Sequence, residues 1–275
     1  MHNSGFTYHG GRILTCDALQ AAGLVHHGFS AKKNGTSSGV FTSLNLGVYT
    51  RDDAGAVEKN FSLFCEEAGV DVRALRSLHQ VHSAKLITIA KAQTAEAEQT
   101  ALSFPPQNLP EADGLMTNLP GVPLAVFYAD CTPVLLLDPV QRVVAAVHSG
   151  WRGTVQKIAQ RAVLAMHRQF GTKAEDVLVA MGPSIKQCHF EVDEDVYLEF
   201  LLHFGSAAEQ FSVFRNGKYY IDTDALNVHS LLQTGVCEEH ISVCPLCTYC
   251  EKDLFYSYRR DGETGRMCAM IELTV

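Results

Sequence analysis

The sequence predicts an α/β (α+β) protein, because strand-length apolar runs alternate with amphipathic helical stretches and no segment repeats itself. The strand signal is strongest in ADCTPVLLLDPVQRVVAAVHSGWRGT, residues 129–154. There, residues 133–137 and 143–147 are apolar throughout, and Asp138-Pro139-Val140-Gln141 supplies a turn between them. The helical signal is a spacing of three and four. Val57, Phe61, Phe64 and Ala68 share one face and stop at Gly69, while Val155, Ile158, Ala159, Ala162 and Met166 run to Gly171. With 275 residues, 47% of them hydrophobic, the chain can bury a substantial core in one large domain or two small ones.

Taken in order, residues 12–16 and 23–29 read as strands, followed by a polar, glycine-rich loop over 31–39 that either lies on the surface or wraps a ligand. Asp52 or Asp53 caps the first amphipathic helix. Residues 85–90 form a strand directly after His79-Gln80-Val81-His82. Residues 94–110 are polar, then proline-bearing, and read as an exposed insertion. Asp113-Gly114 is a turn signal whose carboxylate either closes that turn or faces a site. Strands follow at 124–128 and 177–181, with the long helix after Trp151 between them. Asp193 starts a helix closed by Gly205, Asn216-Gly217 marks a hairpin, and Asp222 or Asp224 caps a further helix ending near Gly235. Residues 241–244 and 269–273 close the set as strands.

Composition narrows the function. A net charge of −8 without blocks of like sign argues against a dedicated nucleic-acid binder. No run of eighteen apolar residues is present, and the first residues lack an apolar run with a basic flank. Nine cysteines without a regular framework suit reduced thiols. These features predict a cytoplasmic protein acting on a small molecule, with no membrane and no nucleic acid among its partners.

The chemistry concentrates at the ends of the two apolar runs. Two antiparallel strands joined by a tight turn bring Cys131 and His148 to one sheet edge, and the helix start after Ser149-Gly150-Trp151 turns its free amides toward the same point. Three readings compete: buried core side chains, a cysteine nucleophile activated by His148, and a metal held by Cys131, His148 and a third ligand such as His82. Cys244, Cys247 and Cys250 form overlapping CxxC pairs, with Cys237 the nearby candidate for a fourth ligand; core thiols remain the simpler reading. FYSYRRDGETGR carries Arg259, Arg260 and Arg266, whose forks suit phosphate or carboxylate.

The motifs SLNLG at Asn45, QVH at His82, ADG at Asp113, ADCTPVLLLDP at Cys131, VHSGWRGT at His148, GPSI at Gly182, CTYC at Cys247 and FYSYRRDGETGR occur along nearly the whole chain. In this order they resemble the YfiH, or laccase-domain, family, also called the polyphenol oxidase or purine nucleoside phosphorylase family. The resemblance implies a single-domain sandwich, residues 1–275, with mixed β-sheets and flanking helices. It implies a zinc-dependent purine nucleoside phosphorylase that cleaves adenosine, inosine, guanosine and methylthioadenosine with inorganic phosphate, and that also deaminates adenosine. The zinc ligands it implies are His82, Cys131 and His148, with Arg260 and Arg259 on phosphate and Asn45 facing the pocket.

Two other activities are weighed against this. A cysteine hydrolase or amidase using Cys131 and His148, such as a peptidoglycan-precursor editing enzyme, is the alternative. A copper polyphenol oxidase is disfavoured, since the multinuclear type needs several His-x-His pairs and the twelve histidines contain none. Copper remains a possible occupant of the zinc site, because it binds nitrogen and sulfur sites more tightly.

Overall fold

A computed structural model describes residues 5–89, 99–104 and 106–275. Its centre is a six-stranded mixed sheet, in spatial order β13-β9-β7-β8-β5-β4. The strands are β4 (Leu86–Ile89), β5 (Gly114–Thr117), β7 (Thr132–Asp138), β8 (Val143–Ser149), β9 (Leu178–Met181) and β13 (Ile241–Val243). A five-stranded antiparallel sheet packs on it, built from β1 (Phe6–Tyr8), β2 (Ile13–Cys16), β3 (Val25–Ser30), β14 (Met267–Leu273) and β6 (Leu124–Tyr128) in that spatial order.

The unbroken apolar runs follow from this stacking. Side chains alternate faces along a strand, so a strand covered on both sides must be apolar at every position. On β7, Leu135 and Leu137 face the other sheet beside Val126, Tyr128 and Ile271. Val134 and Leu136 face the opposite way, onto the helix Ile158–Phe170 through Ala159, Ala162 and Met166. The outer face of the five-stranded sheet is covered in turn by α2 (Ala54–Ala68), whose Val57, Phe61 and Phe64 meet Phe127 and Met270. Asp53 caps α2 by accepting from the Ala56 amide, and Gly69 closes it. The layers therefore run helix, sheet, sheet, helix, which is the predicted sandwich with mixed sheets and flanking helices.

A three-stranded sheet lies to one side: β10 (Glu191–Val192), β12 (Lys218–Ile221) and β11 (Ser212–Arg215). Asn216 and Gly217 both take positive φ, 52° and 77°, as the predicted two-residue hairpin turn requires. Phe200 and Phe204, from the helix Glu194–Phe204, join Ile221 and Leu226 in a separate small core.

Two expectations need correction. The helix predicted after Trp151 is two helices, Trp151–Val155 and Ile158–Phe170, separated where Lys157 adopts a φ of 58°. The apolar positions serve different cores: Val155 packs with Phe200 and Ile221, whereas Ile158 onward packs on the central sheet. The first piece is only five residues long, so few peptide dipoles align behind the amides that were expected to charge the sheet edge. A short helix, α1 (Asp17–Ala22), joins the first two of the expected strands. The expected insertion at 94–110 lies partly outside the described residues, and the rest is not uniformly exposed. Leu102 and Leu109 are buried in the core under α2, and the Leu102 amide donates to the Leu75 carbonyl. The polar composition of the stretch masks these two leucines.

His27, on β3, is 4% exposed and accepts a hydrogen bond from the Cys16 amide on Nε2, which fixes the proton on Nδ1. Burial, with His26 and His9 nearby, lowers its pKa to about 4. The unfolded chain then takes up a proton near pH 6.5 that the folded chain refuses until about pH 4. Stability should fall across that window as the pH drops, by about 3 kcal/mol in total for this group. Urea midpoints measured from pH 8 to pH 4 check this: the decline should be shallower in His27→Gln than in the parent.

Candidate functional site

The register of the central hairpin builds the site. Pro133 pairs with His148 and Thr132 with Ser149, so Cys131, immediately ahead of β7, arrives at the same edge as His148 near the end of β8. His82 comes from the segment before β4, two strands further along the same sheet. Its Nε2 lies 3.9 Å from the Cys131 Sγ, and its ring meets the His148 ring edge-on at a centroid distance of 5.0 Å. Ligand atoms of His82, Cys131 and His148 all lie within 4.8 Å of one another. The structure thus brings the three sequence-predicted ligands together. Gly150 makes room for them, because a Cβ there would sit 2.7 Å from the His82 ring and 3.1 Å from the Cys131 sulfur.

Asp113 organises this cluster. It is fully buried, and its Oδ1 accepts from His148 Nδ1 at 2.9 Å and from the His82 amide at 3.0 Å. Its Oδ2 accepts from the Ser83 amide and hydroxyl at 2.6 and 2.7 Å. The Asp113 carbonyl also receives the His148 amide at 2.8 Å. Of the two roles open to Asp113-Gly114, the structure selects the site. With Nδ1–H donating to Asp113, the lone pair of His148 Nε2 is left for a cation, the arrangement in which a carboxylate orients a metal-binding histidine.

Without a metal the cluster holds its charge as an ion pair, and a cation would displace the Nε2 proton of His148 on binding. Burial works against the charge on His148, but Cys131 and Asp113 outweigh it and raise the pKa to about 9. Burial likewise opposes ionisation of Cys131, and His148 and His82 overcome it, lowering the thiol to about 6. The sulfur is therefore a thiolate at neutral pH, the form that both binds metal and attacks carbonyls. One sulfur and two imidazole nitrogens suit a borderline-soft divalent ion such as zinc, with a fourth position left for a reactant.

A pocket of about 540 Å³ opens over the cluster. Tyr49, Phe127, Trp151 and Phe190 give it aromatic walls, and Arg152, Arg259 and Arg266 give it positive charge. Arg259 is held on the wall by its Nη1, which donates to the carbonyls of His189 and Glu191, and by its amide, which donates to Asp130. His79 sits at the rim against Tyr49, with ring centroids 4.8 Å apart.

Two assignments fail. Arg260 is absent from the pocket wall, and its five N–H groups are engaged by the carbonyls of Thr248, Tyr249 and Phe255 and by Asp261. Tyr258–Asp261 is a helical turn from which Arg259 and Arg260 point apart, and Arg266 joins Arg259 on the pocket wall. Asn45 is fully buried and does not face the pocket. Its amide donates to Thr50 and Asp52, and its oxygen accepts from the amides of Gly47 and Arg266. Asn45 therefore supports the pocket-lining residues 47–50 and Arg266 from behind.

If Asp113 orients His148, Asp113→Asn should weaken metal binding about 10–100-fold while the three ligands remain. Competition with a chromogenic chelator measures this, and an unchanged affinity would remove Asp113 from the metal centre.

Comparison with known proteins identifies the family. The family described as multi-copper polyphenol oxidoreductase laccase matches residues 26–274. A purine nucleoside phosphorylase of Bacteroides thetaiotaomicron is 33% identical over 263 residues, covering 94% of this chain and 96% of the relative. An adenosine deaminase from an unknown prokaryotic organism is 36% identical, covering 82% and 85%. The crystal structure of YlmD from Geobacillus stearothermophilus superposes with a TM-score of 0.89 at 33% identity, covering 98% of this chain and 99% of that one. By sequence along almost its whole length and by fold, the chain belongs to the laccase-domain, or YfiH, family.

Proposed function

We propose that this chain is a zinc-dependent purine nucleoside phosphorylase acting on adenosine, inosine, guanosine and methylthioadenosine, with adenosine deaminase activity at the same centre. The observation that carries the reading is the pairing, in one pocket, of a three-ligand cluster with two anchored arginines and aromatic walls. The relatives named for these two activities support it.

His82, Cys131 and His148 would hold the zinc, which when bound supplies a Lewis acid and a positive counter-charge. Asp113 holds the Nδ1 proton of His148, so a cation would displace only the Nε2 proton and meet that nitrogen's lone pair. Cleavage of a glycosidic bond builds positive charge on the ribose carbon, and an anionic phosphate held by Arg259 and Arg266 stabilises that charge and then captures the sugar. Tyr49, Phe127, Trp151 and Phe190 offer flat or edge-on surfaces to a purine. Nine free cysteines suit a cytosolic setting. Among the described residues no helix is long and apolar enough to cross a membrane.

Incubating the zinc-loaded protein with adenosine and phosphate should yield adenine and ribose 1-phosphate, and inosine where deamination competes. Cys131→Ala should abolish both; persistence of either at the parental rate would separate the two activities from the shared centre.

A second reading rests on a specific feature. Without metal, Cys131, His148 and Asp113 form a thiolate–imidazolium–carboxylate series, the arrangement of a cysteine hydrolase or amidase. A metal-free protein that cleaves amides and dies on alkylation of Cys131 would favour it.

The arginines give a sharper check. Arg259→Ala should raise the KM for phosphate about 10–100-fold, the worth of one or two charge-assisted hydrogen bonds. Arg260→Ala should leave that KM near the parental value and instead lower stability by about 1–3 kcal/mol, because three carbonyls lose their donors. Steady-state kinetics at varied phosphate and thermal unfolding read the two effects separately.

A further inference from the structure

The overlapping CxxC pairs near the C-terminus resolve differently from the sequence expectation. Cys244 is fully buried, and Cys237 donates to the Glu175 carbonyl, so neither completes a site with the other two. Cys247 and Cys250 instead meet Cys188 and His189, some sixty residues earlier in the chain. The Cys188 sulfur lies 3.7 Å from that of Cys247 and 3.9 Å from that of Cys250. His189 Nδ1 lies 3.2 Å from the Cys188 sulfur and 3.4 Å from the Cys250 sulfur. One donor atom from each of the four residues falls within 4.8 Å of all the others.

These spacings are those of a tetrahedron around one ion. Zinc–sulfur bonds of about 2.3 Å and zinc–nitrogen bonds of about 2.0 Å place tetrahedral sulfurs about 3.8 Å apart, and sulfur and nitrogen about 3.5 Å apart. The same spacings are far outside the roughly 2.05 Å of a disulfide. The supports also fit. Each pair sits on a tight turn: His189 and Phe190 amides return to the Lys186 carbonyl, and the Glu251 amide returns to the Cys247 carbonyl. The Lys186 amide donates to the Cys247 sulfur at 3.4 Å, as amides commonly do to ligating thiolates. Tyr249 stacks on the His189 ring at 3.9 Å and 15°, fixing its plane. Cys188 and Cys250 are exposed, which gives an ion a way in.

We propose that Cys188, His189, Cys247 and Cys250 bind a second zinc ion in a closed, structural Cys₃His site separate from the His82–Cys131–His148 centre. All four positions belong to the protein, so no place is left for a reactant. The ion ties the turn at 186–190 to the turn at 247–250, adding to the bridge between Ser184 and Cys247, the Lys186–Cys247 hydrogen bond and the Tyr249–His189 stack. It thereby holds still the carbonyls of His189 and Glu191, against which the pocket's Arg259 rests.

Metal analysis of the purified chain tests this apart from any activity. The parent should hold two zinc equivalents, Cys131→Ala one, and Cys250→Ser one, with Cys131→Ala/Cys250→Ser holding none. Cobalt loaded into Cys131→Ala should give a near-ultraviolet sulfur-to-cobalt band that Cys250→Ser removes. Should the Cys250 variant fail to fold, Cys131→Ala alone decides, because its remaining equivalent and its cobalt band have no other thiolate source at the active centre. The proposal is overturned if Cys131→Ala holds no metal, if Cys188, Cys247 and Cys250 react with a thiol reagent as freely in the native chain as in the unfolded one, or if two of them prove disulfide-linked.

Discussion

The structure depends on one buried carboxylate. Asp113 gathers the amides of Val81, His82 and Ser83, the Ser83 hydroxyl and the His148 imidazole, so a single side chain ties together three segments from different parts of the sequence. A carboxylate taken out of water without partners costs several kcal/mol. Here the donors that relieve that cost include the His82 backbone and the His148 side chain, so the group that must be neutralised is the group that sets the cluster's geometry. Its hydrogen bonds to His148 and Ser83 hold Asp113 below the usual carboxylate range despite burial.

Much of this was legible in the chain. The run LLLDPVQRVVAAV announces two strands buried on both faces, and the antiparallel pairing of Pro133 with His148 then forces Cys131 and His148 together. Helix limits at Asp53, Gly69 and Gly171 and the hairpin at Asn216-Gly217 are local chemistry, which a sequence states directly. What it does not state is which of two adjacent side chains points inward when the local conformation is unknown. Arg260 lost the phosphate role and Arg259 kept it, because a capped helical turn aims the Arg260 guanidinium at the carbonyls of Thr248, Tyr249 and Phe255. Asn45 shows the same blindness: the motif is real, but its side chain works on Gly47, Thr50, Asp52 and Arg266 instead of the pocket.

Long-range pairing was the other barrier. The break at Lys157 has no glycine or proline to mark it, and it exists because Val155 and Ile158 belong to different cores. Cys188 and His189 stand far from CTYC in the chain, so counting cysteines near one another pointed to Cys237 and Cys244, which fold elsewhere. Tertiary contact decided both cases.

The division between the cores shapes the pocket itself. His82, Cys131 and His148 hang from the rigid central sheet, whereas Ile185, Phe190 and Trp151 pack with the small sheet and its helices. The reactive floor and part of the selective wall thus have separate foundations. Amino-acid exchanges among Phe200, Phe204, Ile221 and their neighbours can reshape what the cleft admits while His82, Cys131 and His148 keep their places, so the floor and the diet of the cleft are free to change separately.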